Sequence, residues 1–192
     1  SQLQLGYIFI LGNDVPFDIS RSIYYFSMAS NQGNARAQHK LGIIYLGKYV
    51  QCDISKSIHY LKLASSHNHS HSNYILGIIY FEGYYIKRDI FEGIKYLTLS
   101  ANQCCVDALL YLGYLYIEGK YITKNVNKGV QYYSIASSFN NSLAQLRLGL
   151  LYYKGENVKK DMKKAIHYFE LSSKNKNRMA QLYLGALYYE GK

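Results

Sequence analysis

Tryptophan is absent from this chain of 192 residues, proline occurs once (Pro16) and cysteine three times. With a single proline, long stretches keep every backbone donor that a helix needs. Cys52, Cys104 and Cys105 form neither a paired framework nor a metal-ligand spacing: adjacent cysteines rarely bridge, and an odd count leaves one over. A reducing compartment is therefore favoured, with the cytoplasm expected and the endoplasmic-reticulum lumen as the alternative. A charged or polar residue interrupts every apolar run before it reaches the roughly 18–20 residues of a membrane span. No signal peptide and no initiator Met stand at the start, so a piece of a longer protein is expected. Acidic residues are also scarce, 12 against 22 Lys and Arg, for a net charge of +10. Such an excess suits an acidic partner, nucleic acid or an anionic membrane, yet the lysines are scattered until residue 159, as on solvated helix surface.

What is plentiful is periodic. A Leu-Gly pair ends at Gly6, Gly42, Gly77, Gly113, Gly149 and Gly185, in steps of 36, 35, 36, 36 and 36 residues. A second glycine follows at Gly12, Gly47, Gly83, Gly119, Gly155 and Gly191; the short step is one deletion between Gly42 and Gly47. Three residues after each first glycine stands Phe9, Tyr45, Tyr80, Tyr116, Tyr152 or Tyr188, and five before it Ala37, Ser72, Ala108, Ala144 or Ala180. Small, Leu and aromatic at intervals of four share one helical face. Glycine inside that helix costs about 1 kcal/mol against Ala, so it serves close packing. This predicts a helix A.

A connection with one buried aliphatic follows: Val15, Val50, Ile86, Ile122 or Val158. Asp18, Asp53, Asp89, Asn125 and Asp161 are N-caps of a helix B, their side-chain oxygens accepting from an orphaned backbone N–H. Asp89 with Glu92 has capping-box spacing. Helix B carries a small residue (Ser22, Ser57, Gly93, Gly129, Ala165) and then an aromatic (Tyr25, Tyr60, Tyr96, Tyr132, Tyr168). Between repeats, Gly33 suits a left-handed turn and Asn68 and Asn140 substitute for it, whereas Cys104 and Lys176 fit less well and predict turns of another shape.

A hairpin with one apolar face buries it by stacking on its neighbours. The expected fold is an all-α, right-handed solenoid of antiparallel two-helix repeats, A helices inside and B helices outside. Its repeats are 1–34, 35–69, 70–105, 106–141, 142–177 and a partial 178–192, one solenoid over 1–192. Leu3, Leu5, Tyr7, Ile8 and Phe9 open the chain as an uncovered apolar helix, which suggests an excerpt of a longer array.

The segment Ala-Gln-Leu-Arg-Leu-Gly-Leu-Leu-Tyr-Tyr-Lys-Gly (144–155), followed by Val158, Asp161, Lys164-Ala165 and Tyr168-Phe169, resembles the Sel-one-like repeat (SLR), a cousin of the tetratricopeptide repeat. So does the turn Ala-Ser-Asn-Gln-Gly-Asn at 29–34. Tyr stands where that family often has Trp in helix B. The resemblance implies an adaptor that assembles other proteins, and no enzyme. Its alternatives are the regulatory repeats of a larger kinase-like enzyme, or an endoplasmic-reticulum quality-control subunit. A cysteine-rich branch linked to β-lactam binding pairs two cysteines per repeat and is a poor guide here.

By analogy with tetratricopeptide repeats, the positions three before, one after and four after the first glycine line a concave face. They are His39, Ile43 and Leu46; Tyr74, Ile78 and Phe81; Leu110, Tyr114 and Ile117; Leu146, Leu150 and Tyr153. Being nearly all apolar, they predict either a groove for a peptide or amphipathic helix or a superhelix tight enough to pack on itself. On the groove reading, Tyr114→Asp or Phe81→Asp abolishes binding and leaves helicity intact.

His67, His69 and His71 alternate in one turn, which brings a metal to mind, but without carboxylate or thiolate they are expected to be ordinary loop residues. Lys159, Lys160, Lys163 and Lys164, then Lys174, Lys176 and Arg178, offer an edge to an acidic partner. Cations at a helix start oppose its dipole, so stability does not account for them. No strand platform of basic and aromatic residues is present, and nucleic acid is not the expected partner. Asn68-His69-Ser70 and Asn140-Asn141-Ser142 are glycosylation sequons, relevant only in a lumenal protein. No nucleophile–base pair, phosphate loop or carboxylate pair is found, so no catalytic residue, metal or cofactor is expected.

Overall fold

A computed structural model describes residues 1–13, 15–189 and 191. Among them are eleven α-helices and no strand. The A helices are α1 (Gln2–Leu11), α3 (Ala35–Ile43), α5 (Ser70–Glu82), α7 (Val106–Glu118), α9 (Ser142–Lys154) and α11 (Arg178–Tyr189). The B helices are α2 (Ile19–Asn31), α4 (Ile54–Ser66), α6 (Ile90–Asn102), α8 (Val126–Ser138) and α10 (Met162–Lys174). The chain divides into two compact units, 1–103 and 104–192. In the first, hairpins α1–α2, α3–α4 and α5–α6 stack through α2 on α3 and α4 on α5. In the second, α7–α8 and α9–α10 stack through α8 on α9, and α11 adds to α10.

Each hairpin closes on its first glycine. A Cβ at Gly6, Gly113 or Gly149 would lie 2.5–2.6 Å from the ring of Phe26, Tyr133 or Phe169, and at Gly42 or Gly77 2.6 Å from Leu61 or Leu97. The five partners, one per B helix, have exposures of 0–4%. In four of the five hairpins the small residue of helix B completes the contact in one of two ways. The hydroxyls of Ser22 and Ser57 donate to the carbonyls of Gly6 and Gly42 at 2.8 Å. Gly93 and Gly129 instead admit Phe81 and Ile117, into which a Cβ would run at 2.7 and 2.5 Å.

All five predicted N-caps form, with acceptor distances of 2.9–3.0 Å. Their own backbone N–H groups close the loop by donating to the carbonyl of Phe9, Tyr45, Tyr80, Tyr116 or Tyr152. That bond explains why Asp89 and Glu92 make only half a capping box: the Asp89 N–H is already taken by Tyr80, and Glu92 pairs with Lys95 at 2.8 Å. The loop aliphatics expected to be buried, such as Val50 and Ile86, are only half-buried. The deletion before Gly47 is absorbed by a π turn, Ile44–Lys48, with Gly47 at φ 102°.

The inter-repeat turns correct one expectation. Cys104 and Lys176 take φ of 58° and 61°, as Asn68 and Asn140 do at 57°, so their turns keep the common shape. The strain of a left-handed non-glycine residue, about 1–3 kcal/mol, is outweighed by the backbone bonds the turn makes, such as Lys176 N–H to Ser173 O and Asn177 N–H to Ser172 O.

Candidate functional site

Along one edge of every hairpin the two marker aromatics stack. Phe9 on Tyr25, Tyr45 on Tyr60, Tyr80 on Tyr96, Tyr116 on Tyr132 and Tyr152 on Tyr168 have centroids 5.7–6.0 Å apart and planes within 20°. A cation covers each A-helix ring: Arg21, Lys56, Lys62, Lys128 and Lys164, at 4.4–5.6 Å. Where Glu92 occupies the usual cation position, Lys62 of the preceding hairpin supplies the charge. Cation–π contacts of this kind contribute about 0.5–1 kcal/mol at exposed sites. Lys164 also pairs with Asp161 at 3.8 Å. Stability thus accounts for Lys164, contrary to the sequence expectation, whereas Lys159 and Lys163 stand exposed without such a role.

The twelve concave-face residues divide by depth. Tyr114 is 47% exposed. His39, Ile43, Leu46, Tyr74, Ile78, Leu110, Leu150 and Tyr153 are half-buried. Phe81, Ile117 and Leu146 are buried, at 1%, 6% and 8%, and their place in an open groove is corrected. Gly93 and Gly129 of the same hairpins pack directly against Phe81 and Ile117, so the position four after the first glycine belongs to the core in these repeats. Leu146 packs with Ala165, Phe169 and Leu184. Phe81→Asp is therefore expected to unfold its hairpin, and only Tyr114 retains the surface role argued for both.

The imidazoles behave differently from loop residues. His69 caps α5, its Nδ1 accepting from the Ser72 N–H at 3.2 Å. Its ring stacks on His39 with centroids 4.5 Å apart, and the Ser72 hydroxyl lies 2.9 Å from Nδ1 of His39. Burial first, then His69, His71 and Lys40, holds the His39 imidazole at about 3. The His39 ring meets both His69 and His71, with centroids 4.5 and 5.8 Å apart, so two of the three alternating imidazoles converge on a fourth. Three departures from the repeat pattern meet here: His39 where Leu or Tyr recurs, Ser72 where Ala recurs, and His69 where Asn recurs.

A cavity of about 140 Å³ opens between α7, α8 and α9, lined by Tyr114, Ile117, Tyr133, Arg147, Leu150 and Leu151, with Glu118, Lys154, Glu156 and Asn157 around it. Two sequence-predicted residues, Tyr114 and Leu150, thus share a concavity with Tyr133 and Arg147, which the sequence reading passed over.

The family of the chain is decided by its repeats, since the Sel1 repeat matches at residues 1–34, 35–69, 70–103, 106–138, 142–177 and 178–192. The chain belongs to the Sel1-repeat family. Sel1-repeat proteins are generally non-catalytic interaction scaffolds. A protective antigen of uropathogenic Escherichia coli with an SLR fold is similar over 99% of this chain, at 28% identity and a TM-score of 0.91. The chain spans only 41% of that antigen's length. A Sel1 repeat protein from Oxalobacter formigenes is 28% identical over 100% of this chain and 78% of its own, with a TM-score of 0.86. An immunity protein from Pseudomonas aeruginosa is 27% identical over 83% of this chain and 60% of its own, at 0.55. No curated protein matches the sequence. Among the described residues no helix is long and apolar enough to cross a membrane.

Proposed function

We propose that this Sel1-repeat chain is a non-catalytic scaffold that holds a peptide or amphipathic helix of another protein against the A helices. The observation that carries the reading is Tyr114, 47% exposed on a helix whose Leu109, Leu112, Leu115 and Ile117 are buried, and lining a cavity that also takes in Leu150. Half-buried Leu110 and Tyr153 extend the same surface within the second unit, and His39, Ile43, Leu46, Tyr74 and Ile78 occupy the corresponding register in the first. Half-buried apolar side chains lose little on folding and gain when a partner removes the rest of their surface from water. The exposed Lys159, Lys163, Lys174 and Lys176 suit an acidic flank of the same partner.

The test is affinity capture from native lysate with three baits: the wild-type chain, Tyr114→Asp, and Lys159→Glu with Lys163→Glu, each checked for unchanged circular dichroism. The proposal expects a partner retained by wild type and lost with Tyr114→Asp, with the lysine variant weakened most at low salt. Equal capture by wild type and Tyr114→Asp contradicts it and moves the contact to the basic edge.

A further inference from the structure

At the position where B helices meet the first glycine, four repeats carry an apolar residue: Phe26, Leu61, Leu97 and Phe169. The remaining repeat has Tyr133, whose side chain is 4% exposed. No described residue hydrogen-bonds to its hydroxyl. Tyr133 lines the α7–α9 cavity together with Tyr114, Glu118 and Arg147. The hydroxyl is not among the buried polar atoms left without a partner, so water reaches it through the cavity, and a ligand's hydrogen-bonding group would take that water's place.

The next junction shows what the space is shaped for. Residue 183 stands fourteen after Phe169, as Arg147 stands fourteen after Tyr133. Tyr183 lies flat on Phe169, with centroids 5.1 Å apart and planes at 6°, and Tyr153 closes the side at 6.0 Å from Tyr183. In the preceding repeat, Arg147 replaces the stacked ring and Ile117 replaces Tyr153. Neither replacement is a ring, and both line the cavity of about 140 Å³. An apolar cavity of about 150 Å³ takes one benzene ring. The polar residues around the opening are Arg147 and Lys154 against Glu118 and Glu156, so the site carries no net charge. Size, the Tyr133 hydroxyl and electroneutrality together select a neutral ring with one hydrogen-bonding group.

We propose that the α7–α9 cavity is an anchor subsite for a tyrosine side chain of the partner protein, stacked over Tyr133 as Tyr183 is stacked over Phe169, with its phenol hydrogen-bonded to the Tyr133 hydroxyl. It deepens the scaffold reading and rests on it for the identity of the ligand as a protein.

The probes are p-cresol, toluene and 4-methylbenzoate, titrated into the 192-residue protein and followed by the ring signals of labelled tyrosines. Tyr133 and Tyr114 should shift with p-cresol, which binds about fivefold more tightly than toluene, the effect of one net hydrogen bond. Tyr133→Phe keeps the fold, since Phe stands at positions 26 and 169, and removes the preference. Arg147→Tyr, supplying the ring that Tyr183 supplies next door, blocks p-cresol. Equal binding of toluene and p-cresol by wild type, tightest binding of 4-methylbenzoate, or no shift with any probe would each overturn the subsite. If the probes fail while Tyr114→Asp still loses its partner, the scaffold stands without this anchor. If the probes bind as expected and Tyr114→Asp keeps its partner, the cavity takes phenols but is not the scaffold's contact, and the partner assignment is overturned.

Discussion

Gly149 and Gly185 occupy one repeat position, yet alanine should act on them with opposite sign. A methyl at Gly149 would sit 2.6 Å from Cδ1 and Cε1 of Phe169, about 1 Å inside ordinary carbon contact. The Phe169 ring is fully buried and Tyr183 lies flat against it, so it has little room to give way. Overpacking of this kind costs about 1–3 kcal/mol, and the gain in helix propensity returns about 1 kcal/mol. Gly149→Ala should therefore destabilise the second unit, by up to about 2 kcal/mol. At Gly185 a Cβ meets nothing within 4 Å, leaving only the propensity gain. Gly185→Ala should stabilise α11 by up to about 1 kcal/mol, with each kcal/mol worth about 2–4 °C in Tm for a chain of this size. Urea unfolding followed by circular dichroism reads the first variant, and amide exchange within α11 reads the second. Two variants of the same sign would refute the claim that these glycines exist for contact with helix B.

Three further outcomes are expected. The His39 imidazole titrates at about 3 in the folded chain against 6.5 unfolded, so the unfolded state binds the extra proton and stability falls as pH drops through that window. About 1–2 kcal/mol should be lost between pH 7 and 5, and His39→Leu should flatten that part of the urea-midpoint profile; an unchanged profile would show that His39 is not the group. Asp161→Ala should cost about 1 kcal/mol through the lost cap on Lys164 N–H, read as a lower urea midpoint at constant slope. Phe81→Ala should cost about 3–5 kcal/mol, whereas Phe91→Ala, at 79% exposure, should stay within about 0.5 kcal/mol by the same measurement.

The hairpins were legible in the sequence because each depends on a local signal repeated many times. The five N-caps, the second glycines with φ of 68–102° and the Leu-Gly-aromatic spacing all act within a few residues of themselves. Reading depth on helix A was harder. Phe81 stands four after its first glycine and Tyr114 one after, and the glycine of helix B, Gly93 or Gly129, meets the residue four after, Phe81 or Ile117. The small residue was visible in the sequence, but its partner was not. Cations at the B-helix starts likewise looked unfavourable against the dipole alone, because the tyrosine rings beneath Lys128 and Lys164 come from another helix. The cavity at Tyr133 was least legible, since it arises from two shortened or redirected side chains, Ile117 and Arg147, that come together only on folding.

The most direct test of the scaffold claim is amide hydrogen exchange of the 192-residue chain, free and bound to the captured partner. The account predicts added protection in the A helices, strongest in α7 and α9 around Tyr114 and Leu150, with α8 and α10 little changed on their outer faces. Protection confined to the B helices or to the lysine-rich segment 159–164, with α7 and α9 unchanged, would contradict it.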